Sequence, residues 1–526
     1  MAPAKPCPHR TQEIELKLLA DEDAALAAWP NAVAAGLSSG EPPARLLTST
    51  YFDTPGHRLR KAGIALRVRR DGDRILQTVK ARASIHGGLS RAIEVESVLE
   101  DAKPDLAAIA DARLRSQISR LAAGKPLAPV FETIVRRTEA EVRHDTGTSA
   151  LLAVDDATIV AGGTRASFRE LEIELLSGPV EGLFAIARIL LPSGRLRFST
   201  MSKAERGFLL AETGMLEPAP EPRFAGPAVL PAKATCAQAL ELVLRECAAQ
   251  ISANVEVVLA LDVPEGPHQL RVGLRRLRSA IGLFRKVLGS PAAGQLGSEA
   301  RWLGQEAGRL RDLQVITTSL VSGYEEERGR TAGLDRLTEA LDEMAEQSRT
   351  SLRDSLQSER AAAFLFDLVR FTESCGWLAS AGDRQQERLG QRVDRFAAKS
   401  LDKRWRKVRK AARHIETLSV EERHALRKEL KKLRYAAEFF EPLFRPSWVK
   451  PFLAALKRLQ DVFGELNDTA VLEARLGELP ADMLADAEVQ HATGLLIGSF
   501  RTRADMHWHE ARQLWADLKK LKAFWS

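Results

Sequence analysis

The sequence predicts an α+β chain of two domains, a β domain followed by an all-α domain. Up to about residue 212, short runs alternate charged and apolar residues with a period of two. After about residue 235, apolar residues recur with a helical period of 3.6. A proline-rich stretch without periodicity lies between them. We therefore expect a β domain over 1–212, a linker over 213–234 and a helical domain over 235–526.

Composition narrows the class of protein. A chain of 526 residues is too long for one hydrophobic core, and its charged and apolar fractions are those of a globular protein. Its four cysteines have neither disulfide-framework nor metal-ligand spacing, which favours a reducing compartment. No apolar run reaches the roughly 18 residues of a membrane helix, and the N-terminus lacks a secretory apolar segment. We expect a cytoplasmic protein with no membrane partner.

The β domain is predicted from seven alternating runs separated by turn signals such as Asp71-Gly72 and Gly162-Gly163. Helical interludes are expected over 21–35, 105–123 and 180–191. The runs are EIELKLL, STYFDT, IALRVRR, RILQTVK, RAIEVESVL, ALLAVDDATI and FRELEIELLS.

The polar face of these strands is almost entirely charged. Glu13, Glu15 and Lys17 share one face, and Arg67 and Arg69 share another. Either a solvated sheet face or a closed barrel with a polar interior explains this pattern. A solvated face would mix Thr, Ser and Gln among the charges, so their scarcity favours a charged lumen.

Such a lumen has the groups that phosphate chemistry requires. Carboxylates two residues apart on a strand project side by side and can hold a hard divalent cation through oxygen. Arginine and lysine on facing strands can hold phosphate oxygens. The combination favours phosphoryl transfer, in which positioning and charge neutralisation supply most of the catalysis.

The β domain resembles the CYTH family of triphosphate tunnel enzymes over nearly all of residues 11–211. The resemblance implies an eight-stranded antiparallel barrel with flanking helices and inorganic triphosphatase activity. It is carried by EIELK at 13–17, YFDT at 51–54, ALRVR at 65–69, TVK at 78–80, RAIEVE at 91–96, FETIVRR at 131–137, AVDD at 153–156, ELEIELLSG at 170–178 and SKAERG at 202–207.

The resemblance assigns roles residue by residue. Glu13, Glu15, Glu172 and Glu174 match metal-binding and catalytic glutamates, and Lys17 matches a catalytic lysine that meets phosphate. Asp155 matches an aspartate of a second metal, with Asp156 as the alternative. The implied cofactor is Mg²⁺ or Mn²⁺, of which one ion grips the triphosphate and a second activates water. The expected substrate-binding cations are Lys17, Arg67, Arg69, Lys80, Arg91, Arg137, Lys203 and Arg206. Glu94 and Glu96 either contact metal or orient arginines.

The helical domain contains an internal repeat with an offset of 156 residues. The segment HQLRVGLRRLR at 268–278 recurs as HALRKELKKLR at 424–434, and LRDLQV recurs as LNDTAV. We expect two packed helical bundles. On each repeated helix the leucines form the core stripe, and the histidine and cations form an adjacent stripe.

This half resembles the CHAD domain, a helical module that binds inorganic polyphosphate. The resemblance implies that both basic stripes contact a phosphate chain. Ten more cations between Arg392 and Arg413 are candidates to extend that surface. Asp312 and Asp468 are candidate internal partners. The stripes are His268, Arg271, Arg275 and Arg278 in the first copy, and His424, Arg427, Lys431 and Arg434 in the second.

The leading hypothesis is therefore metal-dependent hydrolysis of inorganic triphosphate, with inorganic polyphosphate as a bound partner and polyphosphate granules as a candidate location. The alternatives are a non-enzymatic polyphosphate-binding or targeting protein, and thiamine triphosphatase or adenylate cyclase activity in the same tunnel. Nucleic-acid binding is disfavoured because no base-reading or stacking pattern accompanies the basic helices.

Overall fold

The computed structural model describes residues 11–191, 197–227, 229–231, 233–378 and 381–525, without the side chains at positions 11, 319, 467, 468 and 505. The chain divides into two compact units between Ala219 and Pro220.

The first unit is a closed antiparallel barrel. Eight strands pair in the order β5-β4-β3-β2-β6-β7-β8-β1, and β1 also pairs with β5, which closes the sheet. The predicted eight-stranded antiparallel barrel is confirmed. Its strands are β1 (Thr11–Ala20), β2 (Arg45–Asp53), β3 (Ile64–Asp71), β4 (Arg74–His86), β5 (Leu89–Leu99), β6 (Ala128–His144), β7 (Thr148–Ala161) and β8 (Thr164–Ser177), with the two-residue β9 (Arg197–Phe198) beside β1.

Helices cover the outside of the barrel, which explains where the apolar faces of the strands go. Ile118 and Leu114 pack with the apolar residues of β3, β4 and β5. Since side chains alternate along a strand, burying the apolar set outside turns the charged set into the lumen. The helices are α1 (Glu22–Ala34), α2 (Arg58–Lys61), α3 (Ala112–Ala122), α4 (Glu181–Leu190) and α5 (Lys203–Thr213), so each predicted interlude contains a helix.

The second unit is helical. No described helix combines the length and apolarity that a membrane crossing needs. Its helices are α6 (Cys236–Ala260), α7 (Glu265–Leu288), α8 (Pro291–Val315), α9 (Ser322–Arg328), α10 (Ala332–Gln357), α11 (Glu359–Glu373), α12 (Asp383–Gly390), α13 (Val393–Ala411), α14 (Val420–Phe440), α15 (Pro446–Leu476), α16 (Ala481–Ala485) and α17 (Ala487–Lys520), and a π-helical turn (Ile316–Val321) follows α8.

The two repeat copies meet in one apolar core. Leu270 and Leu274 of α7 are fully buried, as are Leu426 and Leu430 of α14. The rings of Phe284 and Phe440, which are equivalent in the two copies, lie 6.0 Å apart edge to face. The leucine stripes are therefore packing surfaces, and they bring the two repeated helices side by side.

Candidate functional site

The barrel encloses a cavity of about 1440 Å³. Because side chains alternate along a strand, most of the ionisable side chains of β1, β3, β5 and β8 point into this cavity. The charged lining consists of Glu13, Glu15, Lys17, Arg60, Arg67, Arg69, Arg74, Lys80, Glu94, Glu96, Arg137, Glu139, Glu172, Glu174, Lys203 and Glu205. Most of the residues expected in the lumen are therefore brought together there.

One group of carboxylates is crowded around a single lysine. The Nζ of Lys80 lies 2.7 Å from Glu13, 3.5 Å from Glu94 and 3.8 Å from Glu15. Burial, together with the charges of Glu15 and Glu94, raises the pKa of Glu13 to about 8 despite Lys80. Burial and the same two carboxylates raise the pKa of Glu174 to about 7. The carboxylates around Lys80 therefore have more negative charge than the neighbouring cations neutralise.

The donor set of this group fits a hard divalent cation. Glu13, Glu15 and Glu174 present only carboxylate oxygens, and a cation would relieve the repulsion among carboxylates that helps to raise the pKa values of Glu13 and Glu174. In the described part of the chain, no three acidic, histidine or cysteine side chains are already gathered around one point as metal ligands. The set therefore offers suitable donors that must turn toward an ion in order to hold it.

In a second group, the carboxylates of Asp155 and Glu172 pair with three cations. Arg137 donates to both oxygens of Asp155 at 2.7 and 2.6 Å, and Lys203 lies 2.8 Å from Asp155 and from Glu172. Glu172 also contacts Lys17 and Arg137. Burial raises the pKa of Glu172, but Lys17, Lys203 and Arg137 lower it more, so the pKa lies well below its usual value. Glu172 is therefore ionised.

The structure separates the two adjacent aspartates. Asp155 is fully buried behind the lining, where Arg137 and Lys203 occupy it. Asp156 lies on the outer face, with a side chain 54% exposed and 3.9 Å from Arg169. Of the two candidates, only Asp155 adjoins the tunnel, and it contacts cations.

Two arginines lack comparable carboxylate partners. The described polar contact of Arg69 is Nε to the hydroxyl of Ser49 at 3.2 Å. Burial and the neighbouring Arg67 and Arg137 lower the pKa of Arg69 to about 10. Arg67 reaches Glu94 only at 3.7 Å, and its buried Nε has no described hydrogen-bond partner. Burial lowers the pKa of Arg67, but Tyr51, Glu94 and Glu96 raise it more, whereas Arg69 is a buried, underneutralised guanidinium of the kind that binds an anion.

Two residues that were expected to contact substrate do not line the cavity. Arg91 lies on β5 one residue out of phase with the inward Ser90 and Ala92, so it belongs to the opposite face of the strand. Arg206 is buried in α5, where it pairs with Glu217 at 2.8 Å and with Ser199 at 3.2 Å, and it is not among the lining residues. Arg206 therefore has a structural salt bridge.

Two residues of the site were missed as individual candidates. Tyr51 lines the cavity beside Arg67; burial raises the pKa of its phenol, but Arg67, Arg69 and Lys203 together lower it more. Glu170 is fully buried behind the lining and contacts Lys203. The period of two signals both: Tyr51 follows the inward Ser49, and Glu170 precedes Glu172.

In the helical unit, the two basic stripes form one cluster. The positive charges of Arg275, Arg427, Arg271 and Arg434 surround Lys431, and burial together with these charges lowers its pKa to about 6. Residues of both copies therefore share one positive potential, and the side-by-side packing of α7 and α14 explains why.

Acidic neighbours neutralise this cluster only in part. Asp312 lies 3.9 Å from Arg271 and 3.4 Å from Arg475, and Glu438 lies 3.0 Å from Arg434. The side chain of Asp468, the expected partner in the second copy, lies outside the described residues.

The remaining stripe residues, His268, His424 and Arg278, lie at the margins of the cationic cluster around Lys431. Burial and Arg311 lower the pKa of His268, whereas His424 and Arg278 are exposed. Burial and Arg301 lower the pKa of Arg278, so the positive potential extends to that end of α7.

Comparison with known proteins gives two domain matches. Residues 11–208 match the model of the CYTH domain, and residues 242–477 match the model of the CHAD domain. A crystal structure of the CHAD domain from the plant Ricinus communis is 27% identical and has a TM-score of 0.50, covering 58% of this chain and 98% of that domain.

Relatives cover the chain in two ways. Two Mycobacterium tuberculosis proteins, both named as uncharacterized, are 26% identical over 98% of this chain and 97% of their own length. An inorganic triphosphatase of Haemophilus influenzae is 30% identical over 171 residues, which are 32% of this chain and 47% of that protein. The chain therefore belongs to the CYTH family over residues 11–208 and to the CHAD family over residues 242–477.

Proposed function

We propose that the tunnel hydrolyses a phosphoanhydride bond of inorganic triphosphate with Mg²⁺ or Mn²⁺, and that the helical domain binds inorganic polyphosphate. The observation that supports the first part best is the arrangement of charge in the closed lumen. The underneutralised Arg69 and the charged Arg67 share the cavity with a carboxylate cluster that has excess negative charge. A metal–triphosphate complex has groups complementary to both.

The cations of the lumen would bind and orient the phosphate chain. Arg67 and Arg69 can each present two N–H groups to a phosphoryl group. Lys17, buried between Glu15 and Glu172, keeps its proton because those carboxylates raise its pKa more than burial lowers it. Fixed positive groups in a buried site stabilise the charge that develops on phosphate oxygens.

Glu13, Glu15 and Glu174 would hold the metal, with Glu172 as a further ligand. A bound Mg²⁺ or Mn²⁺ would supply a water of lowered pKa and would neutralise phosphate charge. The chain's own part is to bring the carboxylates together, exclude bulk water and hold the reacting phosphoryl group in line.

The aromatic residues of the tunnel favour an inorganic substrate over a nucleotide or thiamine triphosphate. Tyr51 stacks on Phe131 with ring centroids 4.5 Å apart, and Phe208 packs edge-on against Phe131 at 5.2 Å. Phe208 is also covered by the guanidinium of Arg60 at 4.9 Å. These rings are engaged with one another, so a base would find little free aromatic surface among the described lining residues.

The shared cationic cluster of α7 and α14 supports polyphosphate binding. Half-buried cations such as Arg271, Arg275 and Lys431 repel one another, so an anionic polymer that lies across both helices would relieve the repulsion. A protein with this property would be drawn to polyphosphate granules in the cytoplasm. Imaging a fluorescent fusion with a polyphosphate stain would test that location.

The tunnel proposal is tested by phosphate release. Purified protein receives triphosphate, ATP, thiamine triphosphate or long-chain polyphosphate with Mg²⁺ or Mn²⁺, and phosphate and cyclic AMP are measured. We expect fastest release from triphosphate and at least a hundredfold loss in Glu13→Gln/Glu15→Gln. The matched control is Glu141→Gln, which removes an exposed carboxylate of the same barrel. Activity that persists without the two tunnel carboxylates would refute the assignment, and cyclic AMP would redirect it to cyclase chemistry.

The proposed polyphosphate groove, formed by the stripe cations of α7 and α14, is tested by polyphosphate affinity. Arg271, Arg275, Arg427 and Lys431 are replaced together by Ala, and binding of long-chain polyphosphate is measured by fluorescence anisotropy. The control removes four exposed basic residues of α15 and α17, which lie outside the basic stripes and the 392–413 stretch. We expect the groove variant to lose at least tenfold more affinity than the control. Equal losses would mean that net charge alone attracts the polymer. The control cations are Lys457, Arg458, Lys519 and Lys520.

A further inference from the structure

Lys203 enters the tunnel from a helix end. It is the first residue of α5, after Ser202, whose side chain forms a reciprocal capping box with Glu205. The capping box fixes the start of the helix and thus the direction in which the lysine leaves it. Its side chain is only 8% exposed and lines the cavity.

The ammonium of Lys203 is surrounded by three carboxylates. Its Nζ lies 2.8 Å from Asp155, 2.7 Å from Glu170 and 2.8 Å from Glu172. The ammonium donates hydrogen bonds to Glu170 and Glu172, and Asp155 is its third ionic partner. Since its three N–H groups lie among three carboxylates, Lys203 must turn at least one N–H away from a carboxylate in order to bind a phosphate oxygen.

The three carboxylates are not equivalent. Glu172 lines the cavity and has Lys17 and Arg137 as further partners, so it can release Lys203 and remain neutralised. Asp155 lies behind the lining and is held by Arg137. Glu170 also lies behind the lining and is fully buried.

Glu170 depends on Lys203 for its charge balance. Among the described residues, Lys203 is the ionic partner of its Oε2, and its Oε1 is buried without a hydrogen-bond partner. A buried carboxylate oxygen without a partner is destabilising, and an apolar residue of similar size would cost less free energy. Stability of the fold therefore gives no reason for a glutamate at this position, whereas a role through Lys203 does.

We propose that Glu170 is a positioning residue: with Asp155 it holds the ammonium of Lys203 from behind the tunnel wall, while the third N–H turns from Glu172 to a phosphate oxygen when substrate enters. The inference rests on the proposed triphosphate chemistry of the tunnel. It predicts that Glu170 acts on substrate affinity without touching substrate.

The test compares Glu170→Gln, which preserves volume but removes the charge, with Glu170→Asp, which keeps the charge on a shorter side chain. Glu141→Gln serves as the exposed control. We expect Glu170→Gln to raise KM for triphosphate about tenfold, the scale of one charge-assisted contact, with kcat within about threefold. Glu170→Asp should recover part of the lost affinity. The melting temperature of Glu170→Gln should be unchanged or higher.

Binding of tripolyphosphate without metal, measured by calorimetry, separates this inference from the proposed function. If the wild type released no phosphate, the proposed function would fall, yet about tenfold weaker metal-free binding by Glu170→Gln would still support the role of Glu170. An unchanged KM and an unchanged metal-free affinity in a folded Glu170→Gln would overturn the inference. Equal defects in the Gln and Asp variants, together with lowered melting temperatures, would also overturn it, because the role would then be structural.

Discussion

Replacing Lys431 by methionine should stabilise the helical domain while weakening its hold on polyphosphate. Lys431 lies among Arg275, Arg427, Arg271 and Arg434, and burial together with their charge lowers its pKa to about 6 from 10.5. In the unfolded chain the lysine has its ordinary pKa. Between those two values the unfolded state binds a proton that the folded state does not.

The sign of the effect follows. The contribution of Lys431 to the free energy of unfolding falls as the pH decreases from about 10.5 to 6, and it stays constant below pH 6. At 1.36 kcal/mol per pKa unit, the full shift would correspond to about 6 kcal/mol at low pH. Partial exposure and salt reduce this, so we expect Lys431→Met to gain about 1–2 kcal/mol at pH 7. The gain should approach zero near pH 10.

The assay is urea unfolding followed by tryptophan fluorescence at pH 7 and pH 10. Seven of the eight tryptophans lie in the helical domain, so the signal reports that domain. The matched control is Lys432→Met, since Lys432 is an exposed neighbour on α14 that pairs with Glu429. At low salt and below about pH 6, where the folded wild type carries the lysine charge, the polyphosphate affinity of Lys431→Met should fall about tenfold. A variant that is no more stable than the wild type at pH 7, or equally stabilised at both pH values, would refute the electrostatic reasoning.

Two further substitutions test the sites by their geometry. Arg69→Ala should raise KM for triphosphate about tenfold to a hundredfold, because it removes an underneutralised guanidinium. Arg70 lies on the outer face of the same strand, so Arg70→Ala should leave KM unchanged. Steady-state kinetics would show the difference. Gly308→Ala should leave the fold intact but weaken polyphosphate binding severalfold, because the new Cβ would lie 1.8 Å from Nη1 of Arg271 and must displace that flexible side chain. Gly304→Ala meets its nearest neighbour at 3.7 Å and should bind normally, so equal affinities of the two variants would contradict this account.

The lumen was predictable wherever a strict period of two operated. Glu13, Glu15 and Lys17 must share a face once their strand forms, and the burial of the intervening apolar residues turns that face inward. The same rule would have excluded Arg91, which is three residues from Glu94 and so cannot share its face on a regular strand.

Other features depend on contacts that local patterns do not specify. Asp155 and Glu170 face each other because of the register between β7 and β8, and that pairing puts both behind the tunnel lining. Arg206 lies in a helix, and its partner Glu217 is eleven residues away in an irregular segment. The two basic stripes were recognisable from the repeat, but their merging into one cluster depends on how α7 packs on α14.

The cations of the two domains differ in how far carboxylates of the protein neutralise them. In the tunnel most of them, Lys203 above all, are already neutralised by carboxylates of the protein, so an arriving phosphate would exchange one fixed partner for another. In the proposed groove, Arg271 and Arg275 have fewer such partners and would hold mobile counterions, which a bound polymer would release into solution. Rising salt should therefore weaken binding of the polymer more steeply than binding of triphosphate in the tunnel. On both proposals, an increase in ionic strength would release the polymer while the tunnel kept its substrate.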